Sequence, residues 1–138
     1  MELNALGAIM KFALDREQLL AGMASEALNA PQLSAADEFC NALATNSRKN
    51  SKLLERTRRE NINEIVIEPI SGMNVGDFTL DPQPVNSMTS EEFTTYAAEV
   101  MDSTIRFYTV AVAKIPNEDV CRNLAIVIKK TTKVAQQL

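Results

Sequence analysis

The chain contains no histidine and no tryptophan. The missing histidine removes the commonest general base, the commonest transition-metal ligand and the side chain that titrates nearest neutral pH. A serine nucleophile would therefore lack its usual activating base, and no motif singles out a lysine to replace it. Cysteine is scarce, and Cys40 and Cys121 cannot complete a structural zinc site by themselves. Only 4 glycines occur, which argues against an all-β fold rich in tight turns. No Gly-rich phosphate loop is present. Neither sign of charge dominates: 14 Lys and Arg stand against 18 Asp and Glu, a net charge of −4. A strongly basic nucleic-acid binder is excluded as the default reading. No apolar run approaches the roughly 18 residues of a membrane span. The N-terminal "MELNALGAIMKFALD" has no basic n-region and meets charge by Asp15, unlike a signal peptide. A cytoplasmic protein with reduced thiols is expected.

What the chain does have suits helices. Its 138 residues fit one domain with one core, 1–138, and its 46% hydrophobic content is mostly Ala, Leu, Ile, Val and Met. Leu6, Ile9, Met10, Ala13, Leu14, Leu20 and Met23 repeat at helical spacing, giving a first helix from about Asn4 to Leu28 that breaks at Pro31. Ser34 and Asp37 resemble a capping box and open a second helix, which runs through Phe39, Leu43, Leu53, Leu54, Ile62 and Ile65 to about Glu68. Within it "EIVIEPI" reads either as a short strand or as the fraying helix end, the latter preferred. Thr89, with Glu92 three residues on, opens a third helix reaching about Lys114. Asn117 caps a fourth after Pro116, with Glu118 and Asp119 placed well for the helix dipole.

Residues 69–88, "PISGMNVGDFTLDPQPVNSM", separate the second helix from the third. A hairpin between antiparallel helices needs only about 2–8 residues. Twenty extended residues, at roughly 3.3 Å each, can instead span a 25-residue helix of about 37 Å. Helices two and three are therefore expected to run parallel across a long crossover, giving an up-down-down-up order. The halves also repeat. Phe12, Ala13, Asp15 and Met23 match Tyr96, Ala97, Glu99 and Phe107 at a spacing of 84. "DEFCNALA" (37–44) matches "EDVCRNLA" (118–125), and Lys49 and Lys52 match Lys130 and Lys133, at a spacing of 81.

A duplicated helical hairpin with one long crossover resembles the ferritin-like superfamily, and rubrerythrin-type members in particular. "KFALDREQLLAGM" resembles their first helix, "YAAEVMDSTIRFY" the third, and "SRKNSKLLER" and "IVIKKTTKV" the two stretches that carry Glu-x-x-His. The resemblance implies two metals held by a glutamate from each of two helices and a Glu-x-x-His from each of the others. Carried over residue by residue, helix one keeps Glu17. The first Glu-x-x-His falls on Ser47 and Asn50, the helix-three glutamate on Met101, and the second Glu-x-x-His on Ile128 and Thr131. One ligand of six remains, so the implied reading is a bundle with no metal ligands to assign and no cofactor. Met101 and Ile128 would fill the vacated volume, and Glu17, if it points inward, would bond Ser47, Asn50 and Thr131 in a central pocket. A register shift could instead recruit Asp15, Glu99 and Asp102 for a carboxylate site suited to Mg, Ca or Mn.

The run "SRKNSKLLERTRREN" holds Arg48, Lys49, Lys52, Arg56, Arg58 and Arg59, but Glu55 and Glu60 interrupt it and no aromatics interleave, so a solvated face is preferred. Cys40 and Cys121 each precede the lost ligands by about ten residues, on helices expected to be antiparallel, which puts them beyond disulfide reach. The resulting expectation is a non-enzymatic structural, regulatory or interaction module. It would be a homodimer that binds a protein partner or a small ligand, and neither nucleic acid nor membrane. The alternative is an iron- or manganese-dependent oxidoreductase or metal-binding protein using carboxylates in an unusual register.

Overall fold

The computed structural model describes residues 5–61 and 70–138. It is all-helical: four long helices, α1 (Leu6–Leu28), α2 (Asp37–Glu60), α3 (Ser90–Lys114) and α4 (Glu118–Ala135), with three short 3-10 turns and no strand among the described residues. No described helix is long and apolar enough to cross a membrane.

The helix starts follow local chemistry. At α3, Thr89 Oγ1 accepts from the Glu92 amide at 3.2 Å and the Glu92 carboxylate accepts from the Thr89 amide at 3.0 Å, completing the expected capping box. The Thr89 backbone amide, and after it the Thr89 side chain, hold the Glu92 carboxyl below its ordinary value. At α4, Asn117 Oδ1 accepts from the Val120 amide at 3.0 Å, as expected. The expected box at Ser34 and Asp37 does not form. Ser34 sits inside a 3-10 turn, Pro31–Ala36, and Ala36 precedes α2 with no side-chain cap. Pro31 pre-sets the turn, Leu33 is buried beneath it, and the turn's carbonyls already serve incoming amides, as Ser34 O does for Asp37. The described part of α2 ends at Glu60. The helical reading of Ile62, Ile65 and Glu68, and the choice of strand or helix end for 64–69, lie outside the described residues.

Two apolar clusters fill the interior. One gathers Ile9, Met10, Leu54, Phe107, Leu124 and Val127; the other gathers Leu20, Leu43, Phe93, Val100, Met101 and Val134. The connection into α3 touches both. Ile70, Met73 and Phe78 belong to the first cluster, Val85 and Met88 to the second. Residues 70–89 thus travel between the clusters rather than turning tightly. Phe12, Phe78 and Phe107 stack edge to face or tilted, with centroids 4.7–6.5 Å apart. Gln32 Nε2 donates to Asn86 O at 2.8 Å and Met88 O at 3.2 Å, tying down the far end. Gly72 takes φ +88°, a region open to glycine.

Contacts between α2 and α4 run in opposite directions. Asn61 meets Asp119, Thr57 meets Asn123 and Asn50 meets Thr131, one number rising as the other falls. The inward face of α4 is Val120, Leu124, Val127, Thr131 and Val134. Ile128 lies one position off that line, half-buried at the margin of the first cluster. Cys40 is buried in the second cluster. Cys121 packs against the first, its thiol donating to Val112 O and Ile115 O at 3.4 and 3.2 Å, and both cysteines are free thiols.

Met101 is 1% exposed, so Met101→Ala should cost about 2–5 kcal/mol. Ile128→Ala should cost less than about 2 kcal/mol, because a half-buried side chain leaves a smaller cavity. Urea unfolding of both variants checks the contrast; equal costs would contradict it. Mass spectrometry after mild oxidation should find no link between Cys40 and Cys121 within a chain.

Candidate functional site

Most polar side chains on these helices face outward. Glu17 is 1% exposed. It occupies a polar position of α1 between Ala13 and Leu20, both fully buried, so helical periodicity turns it inward. Its two carboxyl oxygens are bonded separately. Tyr108 on α3 donates its hydroxyl to Oε2 at 2.9 Å, and Asn50 on α2 donates its amide to Oε1 at 3.1 Å. The same Asn50 nitrogen reaches Thr131 Oγ1 on α4 at 3.4 Å. Side chains from all four helices therefore meet around one carboxyl. Ser47, 1% exposed, is close enough to favour the ionised carboxylate, yet its Oγ makes no hydrogen bond of ordinary geometry.

Burial decides the electrostatics. Desolvation raises the Glu17 carboxyl from 4.5 to about 7, against the opposing pull of Asn50, Tyr108, Ser47 and the Arg16 charge. The Tyr108 hydroxyl rises well above its ordinary value, chiefly through burial and then through the adjacent Glu17. Arg16 is 4% exposed but points elsewhere. Its guanidinium donates to Thr104 Oγ1 at 3.1 Å, to Ser103 Oγ at 3.3 Å and to Phe78 O, and lies 5.3 Å from the Phe12 ring centroid. Burial lowers its pKa, but guanidinium remains charged at any working pH.

Of the six positions expected from sequence, the structure brings Glu17, Ser47, Asn50 and Thr131 together. Met101 is buried, but in the second cluster, and Ile128 is at the edge of the first. Met101 is buried as expected, whereas the expectation that Ile128 is buried beside Glu17 is corrected, since it is only half-buried. On α3 the side chain that meets Glu17 is Tyr108, two turns beyond Met101. On α4 Val127 takes the buried place beside Ile128, because the inward line of α4 passes through 124, 127 and 131.

As a donor set the cluster is poor in charge: one carboxyl, one amide and three hydroxyls. Among the described residues no three His, Cys, Asp or Glu side chains come together to hold a metal. The carboxylates that a shifted register would recruit do not converge. Asp15, Glu99 and Asp102 are exposed, and Asp15 pairs with Lys11 at 2.9 Å. A depression of about 690 Å³ between the crossover and α3 is lined by Asp81, Glu91, Tyr96 and Glu99 and by no member of the central cluster. The centre can hold a proton and join four helices.

Tyr108 and Arg16 were missed from sequence. Tyr108 was legible in principle, since Met101, Thr104 and Tyr108 form one helical line. Arg16 sits in "DREQ", a polar run that gives no sign of burial.

The raised carboxyl sets a pH dependence. The folded protein holds the Glu17 proton up to about 7 and the unfolded chain only to about 4.5. The stabilisation tied to that proton is complete below 4.5, declines as pH rises, and is lost above about 7. The total is roughly 3 kcal/mol. Urea unfolding across this range should show a falling slope in the parent that Glu17→Gln abolishes; parallel curves would refute the assignment.

Comparison of the chain with protein-family models, with curated proteins and with solved structures finds no match.

Proposed function

We propose that the chain is a non-enzymatic member of the ferritin-like superfamily, a rubrerythrin-type four-helix bundle in up-down-down-up order. Its long crossover joins the second and third helices. In this reading it is a cytoplasmic homodimer that serves as a structural, regulatory or interaction module. The antiparallel α2–α4 contacts and the passage of residues 70–89 between the two clusters support the topology. The homodimer is carried by the resemblance alone.

One observation carries the functional reading. Both oxygens of Glu17, the only carboxylate among the six matched positions, are engaged by Tyr108 and Asn50. A metal-binding glutamate shares its ion with further charged ligands; here each oxygen accepts a neutral hydrogen-bond donor, and no group of three His, Cys, Asp or Glu gathers around it among the described residues. Desolvation outweighs the Arg16 charge and the hydrogen bonds, so this carboxyl is about half protonated at neutral pH, a weaker ligand than an ordinary carboxylate. The site so built favours fixed packing over turnover.

Incubating the full chain with iron(II) or manganese(II) under anaerobic conditions, followed by desalting and elemental analysis, should give well under one metal per chain. Two tightly held metals per chain would overturn the proposal and favour a carboxylate-based metalloprotein.

A further inference from the structure

The basic run of α2 has a partner on α4. Lys49 and Lys130 line one depression of about 470 Å³ together with Asn41, Thr45 and Asn46. Both lysines are exposed, and neither forms an ion pair with a carboxylate among the described residues. Two ammonium groups that share a depression repel each other, and no acidic side chain there offsets them.

Asn46 adds an independent observation. It is only 8% exposed, and its buried amide nitrogen has no hydrogen-bond acceptor. Buried donors are normally satisfied. The nitrogen is shielded where it stands; a turn about the terminal torsion of asparagine brings it to the depression that the residue lines and puts the oxygen, which needs a partner less strictly, in its place.

The juxtaposition follows from the repeat. Lys49 and Lys130 are 81 residues apart, as are Asn50 and Thr131, which touch across the antiparallel α2–α4 contact. Equivalent positions of two repeats meet in this way beside an approximate two-fold axis. Such a relation between the repeats would account for the two lysines lining one depression on the outer face.

We propose that this depression is a binding site for a dianionic phosphate group, either free phosphate or a phosphomonoester. Lys49 and Lys130 match its two charges, and the Asn46 amide and Thr45 hydroxyl supply further donors. Phosphate suits the set better than a carboxylate, which has one charge and two oxygens for four donor groups. A phosphodiester carries one charge per group and fits less well. The proposal does not depend on the ferritin-like reading.

The test is NMR of the ¹⁵N-labelled full chain, following the Asn46 side-chain amide and the backbone amides of 45–49. Inorganic phosphate and glycerol 3-phosphate are titrated separately at fixed ionic strength, with sodium chloride as control. Saturable shifts with either phosphate and none with chloride are expected. Lys49→Gln and Lys130→Gln, both at exposed positions that leave the fold intact, should each weaken binding up to about fivefold. Tighter binding of glycerol 3-phosphate would assign the site to a phosphorylated small molecule, and equal binding to free phosphate. Shifts that fail to saturate, that chloride reproduces, or that both lysine variants retain unchanged would overturn the proposal.

Discussion

The carboxyl of Glu17, held between the Tyr108 hydroxyl and the Asn50 amide, is the contact on which the interior depends. It sits where α1, α2 and α3 meet, and α4 joins through Thr131. Apolar packing between smooth helices is tolerant of sliding, whereas a buried carboxyl is not. Each oxygen must keep its donor or bear the cost of desolvation without compensation. The cluster therefore fixes helix register in a way that the Leu, Val and Ala around it do not. It also explains the proton: the same desolvation that demands partners raises the carboxyl to about 7.

Arg16 and Glu17 are adjacent in sequence, both buried, and yet serve different contacts. Successive helical residues point about 100° apart. Glu17 faces the helix centre while Arg16 reaches Ser103, Thr104 and the carbonyl of Phe78. Arg16 fastens the crossover to α3 from beneath, and the Phe12, Phe78 and Phe107 rings pack beside it. Since Arg16 spends its donors on neutral acceptors, its charge only partly offsets the burial of Glu17. This division keeps the carboxyl pKa high despite a neighbouring guanidinium.

Much of this was legible in the sequence. The α3 and α4 caps at Thr89 and Asn117 were, because a cap is a local arrangement of side chain and amide that spacing alone specifies. The Ser34 box was not, because Pro31 and buried Leu33 draw the same residues into a 3-10 turn that makes a cap redundant. Glu17, Ser47, Asn50 and Thr131 were grouped correctly from one register. Met101 is buried as that register requires, but Ile128 is only half-buried, because the register counts positions along each helix and leaves helix rotation undetermined. A rotation that buries Val127 moves Ile128 to the margin, and Tyr108, two turns from Met101, takes the partner's role. Arg16 had no pattern to betray it, since burial of a guanidinium depends on carbonyl and hydroxyl acceptors that only the folded crossover and α3 supply.

The account turns on a protonated carboxyl at the centre, and the Glu17 side chain itself can be watched. Following its carboxyl carbon by ¹³C NMR through a pH titration of the folded protein should show a single midpoint near 7. A midpoint near the ordinary 4.5 would mean that the carboxylate is solvated or paired, and would contradict the role assigned to it here.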